Sequence, residues 1–133
     1  MEEHIKPLMF LVDEYQLNFS AQIFNGCPFG NWTTETYSFY NETGCFTINY
    51  LLGRNEIDFY FSSAFSEDYE KLHEKLLNVW NAEPQIWEKH QKGMFGLKDP
   101  FFWWKKKKII EALAETIRYK IDRTKTFFGV SVK

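Results

Sequence analysis

Thr36–Ser62, TYSFYNETGCFTINYLLGRNEIDFYFS, is the stretch from which the fold is read. Tyr37 and Phe39 alternate with Thr36, Ser38 and Tyr40. Phe46, Ile48, Tyr50 and Leu52 alternate with Cys45, Thr47, Asn49 and Leu51. Ile57, Phe59 and Phe61 alternate with Asp58, Tyr60 and Ser62. Period two in β-branched and aromatic residues is the pattern of a half-buried pleated sheet, because successive side chains of a strand point to opposite faces. Asn41–Gly44 and Gly53–Asn55 supply residues that tolerate positive φ, so both breaks read as hairpin turns. The stretch is predicted to be a three-stranded antiparallel meander, one face of which the rest of the chain must cover.

Working back toward the N-terminus, Leu17, Phe19, Ala21 and Ile23 alternate with Asn18, Ser20 and Gln22, which adds a preceding strand. Cys27–Asn31 reads as loop by its Pro and Gly content, with Trp32 in it or just after it. Leu8, Leu11, Val12 and Tyr15 fall at helical spacing behind Pro7, which suits a first helical turn, so a helix is expected from Pro7 to Gln16 after a frayed Met1–Lys6.

Working forward, Ser66 with Glu67, Asp68 and Glu70 forms an N-cap and an acidic first turn, and Phe65, Tyr69, Leu72, Leu76, Val79 and Trp80 make an apolar stripe. A helix over residues 66–80 follows, because a carboxylate is favoured at the positive end of the helix dipole. Gln85–Gln91 is expected to be a short helix displaying Ile86 and Trp87, with loop over Gly93–Lys98. Asp99-Pro100 is a helix-start signal. A second long helix is predicted from Asp99 to Arg123, with Ile109, Leu113, Ile117 and Ile121 on one face. Phe127–Val132 reads as a last short strand paired with an edge of the sheet.

The fold class expected is therefore α+β: an antiparallel sheet of four to five strands with two longer helices, 66–80 and 99–123, on one face. At 133 residues the chain is expected to form a single domain, 1–133, with one core. Its 20% aromatic content, fourteen Phe, seven Tyr and five Trp, exceeds what a core alone calls for and points to aromatic interface residues.

The net charge of −2 conceals a division. Residues 1–98 hold seven Lys/Arg and fourteen Asp/Glu, a net −7, and residues 99–133 hold nine and four, a net +5. Such a split bears on partner choice and association rate and not on fold. No apolar run approaches the roughly 20 residues that cross a bilayer, and Met-Glu-Glu before Leu8–Val12 is unlike a signal peptide. A cytoplasmic location is expected, with Cys27 and Cys45 reduced, although a disulfide between them remains open if they lie on neighbouring strands. The sequons at Asn18, Asn31 and Asn41 are then coincidental.

The candidate chemistry is sparse. Glu70 and His73 form a single E-x-x-H one helical turn apart, but carboxylate-bridged metal sites use two such motifs with further carboxylates, so a solvated polar face is the simpler reading. Glu88 and His90, two apart, point to different faces of a helix. A thiol nucleophile from Cys27 or Cys45 with His73 or His90 has no local signature. There is no phosphate-binding Gly loop, H-E-x-x-H, G-x-S-x-G or paired CxxC. No cofactor and no metal are implied, and nothing gives reason to propose an enzyme.

Phe101-Phe102-Trp103-Trp104 followed by Lys105–Lys108 is the most unusual run. Projecting the helical stripe backwards from Ile109 lands on Lys105 and Lys106. Either their stems snorkel along the core rim, or the helix projects past the core and offers Trp103, Trp104, Lys105 and Lys106 to an acidic surface. Nucleic acid and membrane are disfavoured as partners, since the chain is acidic overall and the basic run is short.

The function expected is that of a non-enzymatic binding protein, monomeric or weakly dimeric, that docks a basic protein through Glu42, Glu56, Asp58 and Tyr60 of the meander. In size and charge the chain is similar to small bacterial immunity proteins that neutralise nuclease toxins, a likeness that implies an inhibitor of a basic partner. The alternative is a small-molecule-binding protein or enzyme with an aromatic-lined pocket between sheet and helices.

Overall fold

A computed structural model describes residues 2–27, 30–51, 56–63, 84–93, 96–101 and 105–133. The fold is α+β, built on an antiparallel sheet of β1 (Asn18–Cys27), β2 (Gly30–Asn41), β3 (Gly44–Leu51) and β4 (Glu56–Ser63), in the order β1-β2-β3-β4. The meander is thus four strands long. β2 begins six residues before Thr36, so the loop expected over Cys27–Asn31 is cut into by both strands and the backbone of Trp32, expected in that loop or just after it, lies in β2.

Register follows the alternation. Phe19, Phe39, Phe46 and Phe61 stand opposite one another across the four strands, as do Ala21, Tyr37, Ile48 and Phe59. Phe39, Phe46, Ile48, Tyr37 and Phe59 are buried, which identifies the inner face. On the other face Thr36 Oγ1 donates to Asn49 Oδ1 at 2.8 Å and the Ser38 and Thr47 hydroxyls lie 3.0 Å apart. Cross-strand hydroxyl and amide pairs of this kind stabilise a solvated sheet face.

The N-terminal segment is broken where a continuous helix was expected. α1 (Glu2–Ile5), a 3-10 turn (Lys6–Leu8) and α2 (Phe10–Asp13) follow one another, so residues 2–5 are helical and not frayed. Ile5, Leu8 and Leu11 are all buried. Their spacing of three suits the three-residue turn of a 3-10 helix better than 3.6, and Pro7 sits in that turn, where its missing N–H costs little. Gln16 (φ 57°) ends the segment, and the Leu17 N–H donates to the Leu11 carbonyl at 3.0 Å to turn the chain into β1.

α3 (Pro84–Gln91) forms as expected but buries Ile86 and Trp87 instead of displaying them. The long helix, α4, spans Lys106–Thr124 and not Asp99–Arg123. Asp99 spends its capping capacity elsewhere: its carboxylate accepts the Phe101 N–H at 2.9 Å and Lys105 Nζ at 2.5 Å, which closes a turn ahead of the helix. One core cluster joins Ile109, Ile110, Leu113, Ile117 and Ile121 of α4 to the inner sheet face, the N-terminal segment and Trp87. The helix expected over 66–80 lies outside the described residues.

Phe127–Val132 does not extend the sheet. β5 (Thr126–Phe127) and β6 (Val130–Ser131) pair with each other around Phe128 (φ 40°) and Gly129 (φ 83°). Two successive positive φ values make the tight turn whose twist matches a two-residue hairpin. Phe127 and Phe128 then pack on Phe46, with ring centroids 6.2 and 5.3 Å away. The hairpin is latched to the β2–β3 turn: Asn41 Nδ2 donates to the Ser131 carbonyl and the Ser131 N–H donates to Thr43 Oγ1, both at 2.8 Å.

Candidate functional site

The residues singled out in the sequence are dispersed by the fold. Glu42 is exposed in the β2–β3 turn, at the end of the sheet where Gly44 pairs with Ser63. Glu56 pairs with Leu51 at the opposite end, seven residues away along β4, or roughly 23 Å at about 3.3 Å per residue. Asp58 and Tyr60 hold register positions opposite Asn49 and Thr47. Trp103 and Trp104 lie outside the described residues.

The lysine run is divided as well. Lys105 precedes α4 and is tied to Asp99, whose carboxyl Lys105 and the Phe101 amide hold below its usual range. Lys106 opens α4 only 6% exposed, with its ammonium 6.0 Å from the Tyr50 ring centroid. Its stem packs inward and the charge rests toward an aromatic face, a more complete burial than snorkelling at a rim. Lys106 therefore does not belong to an exposed patch; in that run Lys105 and Lys107 are exposed and Lys108 is half-buried.

The cysteines are also separated. Cys27 stands opposite Gly30 and Cys45 opposite Tyr40, ten residues apart along β2, roughly 30 Å at about 3.3 Å per residue. A disulfide needs Cα atoms within about 7 Å, so this pair forms none. Cys45 is a free thiol 3.5 Å from the Thr47 hydroxyl. His90 is engaged by Glu115 at 3.0 Å. Among the described residues no group of three or more His, Cys, Asp or Glu is arranged to hold a metal, and no helix is long and apolar enough to cross a membrane.

Among the described residues, two of the surface grooves are lined by carboxylates. The first, about 370 Å³, runs between α3 and α4 along Lys89, Glu115, Arg118 and Asp122. Its charges already serve the fold. Lys89 (2.5 Å) and His90 (3.0 Å) grip Glu115 and hold its carboxyl below the ordinary range, Lys89 more strongly. Arg118 makes a two-pronged bridge to Glu14, at 3.2 Å for each prong, while stacking 3.8 Å over Phe10. These contacts join α3 and the N-terminal segment to α4.

The second groove, about 520 Å³, lies at the β1 end of the sheet, on the inner side beside α1. Glu3 and His4 form one wall, and Ala21, Ile23, Glu35 and Tyr37 the other. The Tyr37 phenol donates to Glu35 Oε2 at 2.6 Å and so orients the carboxylate. His4 Nδ1 is buried without a hydrogen-bond partner among the described residues. Ala21 and Gln22 are exposed and Ile23 is 64% exposed. Sequence alternation assigns Ala21 and Ile23 to the inner face, but their exposure there is not written in it. The groove thus sets the Glu3 and Glu35 carboxylates, the His4 imidazole and the Tyr37 phenol beside the apolar side chains of Ala21 and Ile23.

Among the described residues Phe39, Phe46 and Phe127 are fully buried in the core cluster that includes α4, with Phe127 edge-on to Phe46. The chain matches no protein-family model, no curated protein and no solved structure.

Proposed function

We propose that this chain is a non-enzymatic, cytoplasmic binding protein whose sheet half docks on the basic surface of another protein and neutralises it, in the manner of an immunity-type inhibitor. One observation carries the reading. The four strands contain Glu35, Glu56 and Asp58 and not a single lysine or arginine, and the turn between β2 and β3 adds Glu42. The cations gather on α4 and its flanks, at Lys105–Lys108, Arg118, Lys120, Arg123 and Lys125. A four-stranded, weakly acidic sheet with polar outer rows suits a basic partner, whose approach the field accelerates. The full burial of Phe39, Phe46 and Phe127 in the core supports this reading over an aromatic-lined small-molecule pocket.

The test uses the partner recovered by affinity capture and measures association by interferometry. Glu56→Lys with Asp58→Lys is expected to slow association about tenfold at low salt, with a smaller effect at physiological salt, where screening acts over about 8 Å. Replacing Lys105, Lys107 and Lys108 by Ala is expected to leave the rate unchanged. Binding that survives the reversal and collapses with the lysines overturns the proposal in favour of an acidic partner at the start of α4.

A further inference from the structure

β1 is the terminal strand of the sheet, and among the described residues nothing pairs with its outer edge. An unpaired strand edge is a template for another chain, and proteins ordinarily blunt such edges with charge, proline or short length. β1 has none of these, and its register shift lies at the far end, between Asn25 and Cys27, leaving Asn18–Asn25 regular. It is ten residues long, NFSAQIFNGC, with no charged residue and no proline. The opposite edge strand, β4, carries Glu56 and Asp58. The unprotected edge is also the one beside the 520 Å³ groove.

We infer that β1 receives an extended, lysine- or arginine-bearing segment of the partner as a fifth strand. The inference rests on the proposed basic partner and adds where and how that partner is held. Strand addition derives affinity from main-chain hydrogen bonds and specificity from alternate side chains. An added residue beside Ala21 or Ile23 shares their face and enters the groove, whereas its neighbours lie beside Ser20 and Gln22 on the polar face. Ala21 stands opposite Tyr37, and Ile23 opposite Glu35. A basic side chain next to Ala21 has only a methyl group between it and the Tyr37–Glu35 pair, and Glu3 closes the far wall. Ile23 supplies an apolar contact for the stem. The occupant is thus a segment with a cationic residue at alternate positions. A second copy of this chain fits poorly, because joining two β1 edges brings the Glu3 and Glu35 carboxylates of both copies to one seam.

The probe is a synthetic eight-residue peptide alternating lysine with threonine, titrated into the full chain. Amide hydrogen exchange across β1 and affinity are the readouts. Exchange at the outward-pointing amides of residues 19–25 is expected to slow at least about tenfold on binding. N-methylation of alternate peptide amides, which keeps every charge, is expected to weaken binding at least about tenfold, and so is Ile23→Lys, an exposed change that leaves the core alone. Glu56→Lys with Asp58→Lys is expected to leave peptide binding within about twofold, the groove lying at the other edge.

Equal affinity for the N-methylated peptide overturns strand addition while leaving a basic partner in place. Protection confined to β4 moves the site to the other edge and overturns the inference alone. Tight binding of a glutamate–threonine peptide in preference to the lysine one overturns both readings. No binding of either peptide overturns the inference and leaves the captured-partner measurement to judge the proposed function. A concentration-dependent dimer lost in Ile23→Lys overturns the choice of occupant.

Discussion

Leu113→Ala measures how much of the fold depends on α4. Leu113 is 0% exposed and lies in the middle of the helix, between Ile109 and Ile110 on one side and Ile117 on the other. The substitution removes three carbon atoms, about 2.4 kcal/mol of transfer free energy at about 0.8 kcal/mol per methylene. The flanking isoleucines are stiff at χ1 and anchored by their own contacts, so the site collapses only in part and a cavity term adds to the loss. The expected cost is about 3–4 kcal/mol. Set against a total of about 5–15 kcal/mol for a domain, the variant remains folded but with much of its margin gone.

The melting temperature should fall by about 11–14 °C, using an unfolding entropy of about 2.1 cal/mol/K per residue. Urea titration followed by circular dichroism and by the fluorescence of buried Trp87 should give a lower midpoint with an unchanged slope, since the surface exposed on unfolding is nearly the same. Asp122→Ala, on the exposed side of the same helix, serves as control and should stay within about 0.5 kcal/mol of wild type. A Leu113→Ala cost below about 1 kcal/mol would refute the packing of α4 into the common core.

Two further outcomes are expected. Thr43→Val removes the hydroxyl that accepts the Ser131 N–H at 2.8 Å and donates to Asn41 Oδ1 at 2.5 Å, and should cost about 1 kcal/mol. The loss should be local, with faster amide exchange at Ser131 and little change in β3, and uniform acceleration would contradict a latch between hairpin and turn. In acid, Glu115 contributes with a definite sign. Lys89 and then His90 hold its carboxyl below the ordinary value, so its stabilisation is present above the unfolded-state pKa of about 4.3 and disappears as pH falls through the folded-state value. The difference in melting temperature between wild type and Glu115→Gln should therefore narrow below about pH 4, and a gap as wide at pH 3 as at pH 6 would exclude the ion pair as its cause.

How much was legible in the chain divides along a physical line. The strands, their meander order and the inner-face residues Tyr37, Phe39, Phe46, Ile48 and Phe59 follow from period-two alternation and from Asn41–Gly44, because side-chain direction in a strand and turn formation are local properties. The apolar face of α4, from Ile109 to Ile121, follows from helical spacing for the same reason. The start of α4 does not follow, because Asp99-Pro100 has the chemistry of a cap and only the fold shows its carboxylate taken by Phe101 and Lys105. The Phe127–Val132 segment likewise has strand-like residues, but the partner of a strand is a tertiary choice, and here it is the chain's own next turn. Lys106 illustrates the limit most directly. Its place on the apolar stripe leaves open a snorkelling stem or a projecting helix end, and only the fold brings Tyr50, far away in sequence, within 6.0 Å of its ammonium. The candidate site belongs to this second class. That β1 carries no charge is plain in its ten letters, but that it ends the order of the four strands, and that Ile23 is exposed on the inner face, are decided only when the elements are assembled, since exposure is a property of what lies above a residue and not of the residue.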